Sequence, residues 1–250
     1  MSTIYIVGAG PGSADLLTVR AARILARAGA VLYDRLVSAE VLALAPEGAE
    51  LIDVGKQEGR QEEIQALILE LLEDCAARHA TVVRLKGGDP MVFGRGAEEW
   101  LHLAEREYEV EVVPGLSSAV AVPELAGIPV TMRGVAAGFA VVTGNRMSGQ
   151  SQQWEAYAHA DTLVILMGVA KRAEIAACLL RLGRAGDTPV AFIERGTLAD
   201  ERVVVTRLDE AGGAEVHAPA VMVVGEVVRV RERLGDLAGG HALVDLASLL

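Results

Sequence analysis

Residues 83–96, VRLKGGDPMVFGRG, join a buried-strand pattern to a turn that leaves its backbone bare. The apolar run 81–85 reads as a strand buried on both faces, and Gly87-Gly88-Asp89-Pro90 ends it. Adjacent glycines let a ligand approach backbone N–H and C=O groups closely. Asp89 adds a carboxylate at the strand end, and Pro90 fixes the exit path. Phe93-Gly94-Arg95-Gly96 then sets a guanidinium between two permissive residues. A turn that only reverses the chain has no need of four glycines, two cations and an acid within residues 86–96. The segment predicts a ligand loop at the edge of a sheet.

Around it, strand and helix patterns alternate. Strands are expected at 4–7, 30–33, 51–54, 81–85 and 110–113, with helices at 14–28, 38–44, 61–77 and 97–107. This spacing predicts βαβ units and a mainly parallel sheet. Beyond Gly115 the texture changes. Helices are expected at 117–127, 154–158 and 172–182, and strands at 139–143, 162–167, 190–194, 203–206 and 220–224. The later strands adjoin one another with few helices between, which gives this half an α+β character. The expected architecture is α/β with two lobes, 1–114 and 115–233, and a cleft between them. The tail 234–250 has no evident partner within the chain.

Composition narrows the function. The 250 residues suffice for one large domain or two small ones. The net charge of -11 argues against nucleic acid as a partner, since phosphate binding needs a basic surface, but it allows a small anion met by a local basic patch. Hydrophobic residues make up 52%, yet no run of about eighteen uncharged apolar residues occurs, so no membrane span is expected. The N-terminus carries no basic segment of the signal-peptide kind, and Cys75 and Cys178 lie far apart in helical, apolar stretches. A cytoplasmic protein without a disulfide framework or metal is expected. Twenty arginines accompany three lysines, and two of those, Lys56 and Lys86, adjoin glycine in turns, where a compact ammonium has a place.

The first turn, Gly8-Ala9-Gly10-Pro11-Gly12-Ser13, follows a strand, and Asp34 ends the next one. That is close to a dinucleotide fingerprint, with the acid placed for a ribose hydroxyl. Two residues disagree: Ser13 stands at the third fingerprint glycine, and Pro11 removes a backbone donor from a turn that needs donors for phosphate.

GAGPG at 8–12, YDRLVS at 33–38, VGK at 54–56, QEEI at 61–64, VRLKGGDP with FGRG, VVPG at 112–115, GIPVT at 127–131, LMG at 166–168 and ERGT at 194–197 occur in one order. Together they resemble the tetrapyrrole methylase family from residue 4 to about 228. YDRLVS and LKGGDPMVFGRG are specific to the branch that acts on uroporphyrinogen III. The resemblance implies the two-lobed fold of class III S-adenosylmethionine-dependent methyltransferases, with the cofactor in the cleft, and a homodimer. It implies cofactor contacts at Pro11, Gly87, Gly88, Asp89, Val92, Ser117, Ser118, Met167 and Gly196. The implied reaction places two methyl groups on ring carbons of uroporphyrinogen III, giving precorrin-2 and S-adenosylhomocysteine. A sulfonium methyl is already electrophilic, so the protein mainly aligns the reactants and manages charge. Attack by the pyrrole carbon leaves the ring nitrogen cationic, and a proton must depart. Asp34 is the candidate carboxylate for that step, with Lys56 assisting in proton transfer or holding a substrate carboxylate. Arg84, Arg95 and Arg35 are the candidate clamps for the macrocycle's acetate and propionate groups.

Departures from the family pattern are a short loop between Gly59 and Gln61, Gln65 in place of Asn, Met132 in place of His and Asn145 in place of His. The short loop adjoins Lys56 and bears on substrate choice. Three other readings stay open at this point: a methylase acting later in the corrin pathway, a nicotinamide-dependent dehydrogenase, and a non-catalytic tetrapyrrole carrier.

Overall fold

Residues 2–55, 61–145 and 152–237 are described by the structure, a computed structural model. Chain contacts divide the molecule into Met1–Ser118 and Ala119–Leu250. The change of texture was expected at Pro114-Gly115, and this division follows Ser118.

In the first unit, β1 (Thr3–Gly8), β2 (Ala30–Tyr33), β3 (Glu50–Asp53), β4 (Thr81–Lys86) and β5 (Glu109–Val113) form one sheet in the order β3-β2-β4-β1-β5. Every pairing is parallel. Helices α1 (Val19–Leu25), α2 (Ala39–Leu42), α3 (Gln61–Arg78) and α4 (Gly96–Ala104) make the connections. A parallel sheet is covered on both faces, so its strands are apolar on both sides. Tyr5, Val7, Val31, Val83 and Leu85 pack with Ile24 and Leu25 of α1. On the opposite face Ile4, Leu32 and Val82 pack with Ile68 and Leu72 of α3. By strand alternation Arg84 and Lys86 share that second face with Val82.

The helix expected at 14–28 is shorter. A single 3-10 turn at Ala14–Leu16 comes first, and α1 begins only at Val19, capped by Thr18, whose hydroxyl accepts the N–H of Ala21 at 3.1 Å. The glycine turn after β1 therefore does not open onto a helix N-terminus.

Apart from its first residue, which closes the first unit, α5 (Ser118–Leu125) belongs to the second unit, with β6 (Phe139–Thr143), β7 (Thr162–Leu166), α6 (Arg172–Arg181), β8 (Pro189–Glu194), β9 (Arg202–Arg207), β10 (Ala220–Val224) and α7 (Val228–Leu237). Its sheet runs β6-β7-β10-β8-β9, with β6 and β7 parallel and the rest antiparallel. Where a helix was expected at 154–158 there is one 3-10 turn, Trp154–Ala156. Trp154 is buried among Leu163, Ile165 and Phe192, so tertiary packing sets this turn. Helix α7, which was not expected, runs from Val228 into the start of the tail as far as Leu237. Residues 238–250 lie outside the described residues. No helix among the described residues is long and apolar enough to cross a membrane.

Candidate active site

All five strands of the first sheet point the same way, so the loops at their carboxyl ends gather at one edge, where open α/β sheets bind ligands. Four of those loops interlock. The N–H of Gly10 donates to the carbonyl of Gly88 at 3.2 Å, and the N–H of Gly88 returns to Gly10 at 2.7 Å. Ala9 donates to the carbonyl of Lys86 at 2.8 Å. Ser38, from YDRLVS, donates its hydroxyl proton to the carbonyl of Gly12 at 2.7 Å while capping α2. Asp89 accepts the N–H of Met91 at 2.8 Å on one oxygen and that of Gly115 at 3.1 Å on the other. The glycines make this approach possible. A Cβ on Gly8 would stand 2.6 Å from the Gly115 Cα and from the Gly88 carbonyl oxygen, so no larger residue fits.

These bonds rule against the dinucleotide reading. Donors of the first turn are directed at the neighbouring loop, and no helix N-terminus stands behind them to receive a pyrophosphate.

Asp34 follows β2 and is half-buried at the same edge. One carboxylate oxygen accepts the N–H of Leu36 at 3.0 Å, and the other the N–H of Gly87 at 3.4 Å. A carboxylate has about four acceptor positions, so capacity remains for a substrate group. Its partner candidate Lys56 lies outside the described residues. Arg35 is exposed, its stem lying against Gly55. Arg95 precedes α4 in a left-handed conformation, φ 63°, and its guanidinium pairs with Glu98 at 2.6 Å.

Arg84 corrects an expectation. It is 2% exposed, beneath the sheet edge, and its guanidinium donates to Glu99 at 3.3 Å and to the carbonyls of Leu32 and Leu85 at 3.3 and 3.1 Å. A guanidinium buried and bonded in this way does not reach out to clamp a macrocycle carboxylate. Beside it lies a carboxylate that the sequence analysis did not single out, Glu99. The ammonium of Lys86 meets both oxygens of Glu99, at 2.8 and 3.0 Å, and Gln65 of α3 donates to the same carboxylate at 3.1 Å. Burial pushes the Glu99 carboxyl up, but Arg84 and Lys86 together outweigh it and hold it below its ordinary value. Lys86 is drawn down to about 8, by burial first and by Arg84 second. The placement of Lys86 beside a glycine was the one signal for this cluster.

Of the expected cofactor contacts in this unit, Gly87, Gly88 and Asp89 form the loop floor, and Val92 stands exposed on it with Met91 and Phe93. Gly88 has φ +68°, and the first atoms a Cβ would meet there are the Ser118 nitrogen at 3.7 Å and hydroxyl at 4.0 Å. Gly88 and Ser118 therefore lie side by side. Pro11 and Ser117 are partly exposed nearby in sequence to these loops. In the second unit Met167 follows β7 with φ 56° and is exposed. Gly196, after β8, is buried against Val122, between Arg195 and Thr197 at φ 49° and 71°. Of the six non-glycine residues with positive φ among the described residues, five (Phe93, Arg95, Met167, Arg195 and Thr197) fall in these three loops. Such conformations cost about 1–3 kcal/mol each and concentrate at ligand sites. Among the described residues no group of three His, Cys, Asp or Glu side chains is placed to hold a metal.

A parallel sheet with interlocked glycine loops at its carboxyl edge, followed by a mixed sheet, defines the class. The family described as Tetrapyrrole (Corrin/Porphyrin) Methylases matches residues 3–212, and the chain belongs to it. A Synechocystis sp. protein named uroporphyrinogen-III C-methyltransferase is 42% identical over 252 residues, which cover 96% of each chain. An S-adenosyl-L-methionine-dependent uroporphyrinogen III methyltransferase from Methanosarcina barkeri is 45% identical, covering 95% of this chain and 96% of its own. The crystal structure of uroporphyrin-III C-methyl transferase from Thermus thermophilus complexed with S-adenyl homocysteine matches with a TM-score of 0.81 at 48% identity, covering 92% of this chain and 94% of that one.

Proposed function

We propose that the chain is an S-adenosylmethionine-dependent C-methyltransferase that converts uroporphyrinogen III to precorrin-2 by two methyl transfers. The observation that carries this reading is the 87–95 loop. Its backbone is bare at Gly87, which lies against Leu36, and at Gly88, which lies against Ser118, and its exposed Val92 offers an apolar wall. That combination suits a ligand with polar edges and a flat apolar body. Relatives alike over nearly the whole chain carry the same activity in their names.

The cofactor supplies an electrophilic methyl on a sulfonium. In the first unit Gly87, Gly88, Asp89, Val92, Ser117 and Ser118, with Pro11, would hold it; Met167 and Gly196 are the contacts assigned in the second. Everything else falls to the protein. Exposed Leu36, Met91, Phe93 and Leu116 belong to the loops of the same sheet edge and suit the face of a macrocycle. Arg95 and Arg35 meet its carboxylates. Asp34, held by the N–H groups of Leu36 and Gly87, stabilises positive charge on the pyrrole nitrogen and accepts the departing proton. Lys56 assists in the same step. A cytoplasmic homodimer is part of the proposal.

Incubating the protein with uroporphyrinogen III and S-adenosylmethionine under reducing, anaerobic conditions tests it by mass. Two added methyl groups per macrocycle are expected. No transfer to uroporphyrinogen III, with transfer to a later corrin intermediate, would move the chain to another branch of the family.

A further inference from the structure

The loop 87–95 is closed from below by a group of charges that the methyl-transfer chemistry does not use. Glu99 lies in the first turn of α4 and is 0% exposed; Lys86 is the last residue of β4 and is 3% exposed. Their bonds at 2.8 and 3.0 Å join the residue that enters the loop to the helix that leaves it. Arg84 and Gln65 fix the same carboxylate from β4 and α3. The lysine stem also runs under the loop, since a Cβ on Gly94 would lie 3.3 Å from the Lys86 Cε. Above this base the loop keeps Gly88, Phe93 and Arg95 at φ +68°, 55° and 63°. Strained conformations persist only where their surroundings over-determine them.

Burying two cations with one anion is a costly way to fill space. Apolar residues of similar volume commonly serve stability as well or better. A cluster in that position therefore calls for a role other than stability. We propose that Glu99, acting through Lys86 and Arg84, is a positioning residue that holds the 87–95 loop in its ligand-binding shape. The inference rests on the reading that this loop holds the cofactor.

The test separates loop shape from stability. The triple variant Arg84→Met, Lys86→Met, Glu99→Leu replaces the charges with apolar groups. It is expected to unfold in denaturant no earlier than the native protein, yet to bind S-adenosylhomocysteine at least tenfold more weakly. Amide hydrogen exchange is expected to quicken at residues 88–96 and to stay unchanged in β1 and β5. A stable variant with native affinity and native exchange would overturn the inference. If the triple variant does not fold, Lys86→Met alone decides, because it leaves a neutral Arg84–Glu99 pair. Loosened exchange at 88–96 with weaker binding supports the role, and native values for both reject it. Failure of the native protein to bind S-adenosylhomocysteine would instead remove the cofactor reading on which the inference stands.

Discussion

The carboxylate of Asp34 accepts the backbone N–H of Gly87 across 3.4 Å, so the acid at the end of β2 leans on the first residue of the glycine loop at the end of β4. Its other oxygen takes the N–H of Leu36 at 3.0 Å. An acid held by two backbone donors keeps its orientation while retaining acceptor capacity.

If Asp34 stabilises the pyrrole cation, its charge matters only once the methyl begins to move. Asp34→Asn keeps the size but has a single acceptor oxygen and no basicity. Retained binding of S-adenosylhomocysteine is expected, with single-turnover methyl transfer slowed by a factor of about 10²–10⁴. A native rate would take Asp34 out of the mechanism. A weakened cofactor affinity with a native rate at saturation would move it to the binding site.

Gly88 is left-handed and lies beside Ser118, the first residue of α5. Gly88→Val forces a β-branched residue to φ +68°, at a cost of roughly 1–2 kcal/mol, and places its branches where the ligand packs. Calorimetry on the folded variant is expected to show S-adenosylhomocysteine affinity reduced at least tenfold, about 1.4 kcal/mol. Unchanged affinity would move the cofactor off this loop.

Arg95 is the loop's partly exposed guanidinium, paired with Glu98 at 2.6 Å. If Arg95 holds a substrate carboxylate in place of that partner, the charge-assisted bond is worth on the order of 1.5–3 kcal/mol. Arg95→Ala is expected to raise KM for the macrocycle about tenfold or more and to leave cofactor affinity near native. Kinetics that stay native at low and high salt would assign Arg95 to the start of α4 alone.

Lys86 gives a pH signature. Its ammonium falls from 10.5 to about 8 on folding, because burial and Arg84 outweigh the attraction of Glu99 and Asp34. Between pH 8 and 10.5 the unfolded chain binds the proton that the folded protein has released, so stability from this group rises with pH across that window. Below pH 8 both states are protonated and the group's penalty is present in full. Denaturant unfolding of the native protein, measured against Lys86→Met, is expected to show the native protein gaining stability on the order of a few kcal/mol from pH 8 to 10.5. A flat difference would mean that Lys86 keeps its proton through the pair with Glu99.

Local pattern was enough for much of the fold. The apolar runs at 4–7 and 81–85 can only be satisfied in a sheet covered on both faces, and glycine pairs break them where strands end. Asp34 and Gly88 follow the ends of β2 and β4, which is why strand pattern set them at a sheet edge, whereas Ser118 was assigned by family resemblance alone. The shortened α1 was not legible, because residues 14–17 share the helical composition of residues 19–25. Its 3-10 turn is set by Thr18, whose hydroxyl caps the later start.

The charges show where local reading stops. Glu98 and Glu99 are adjacent and chemically alike. One has a side chain 58% exposed and pairs with nearby Arg95, and the other is fully buried against Arg84 and Lys86. Arg84 looked like a clamp and proved to be a buried tie. Sequence alone placed Arg84 within a strand that ends at a glycine loop; the strand runs on to Lys86, so alternation sets both cations on one face of β4. Only the tertiary structure decided that α3 and α4 cover that face, and a helical turn of about 100° per residue then directs Glu99 inward while Glu98 stays in solvent.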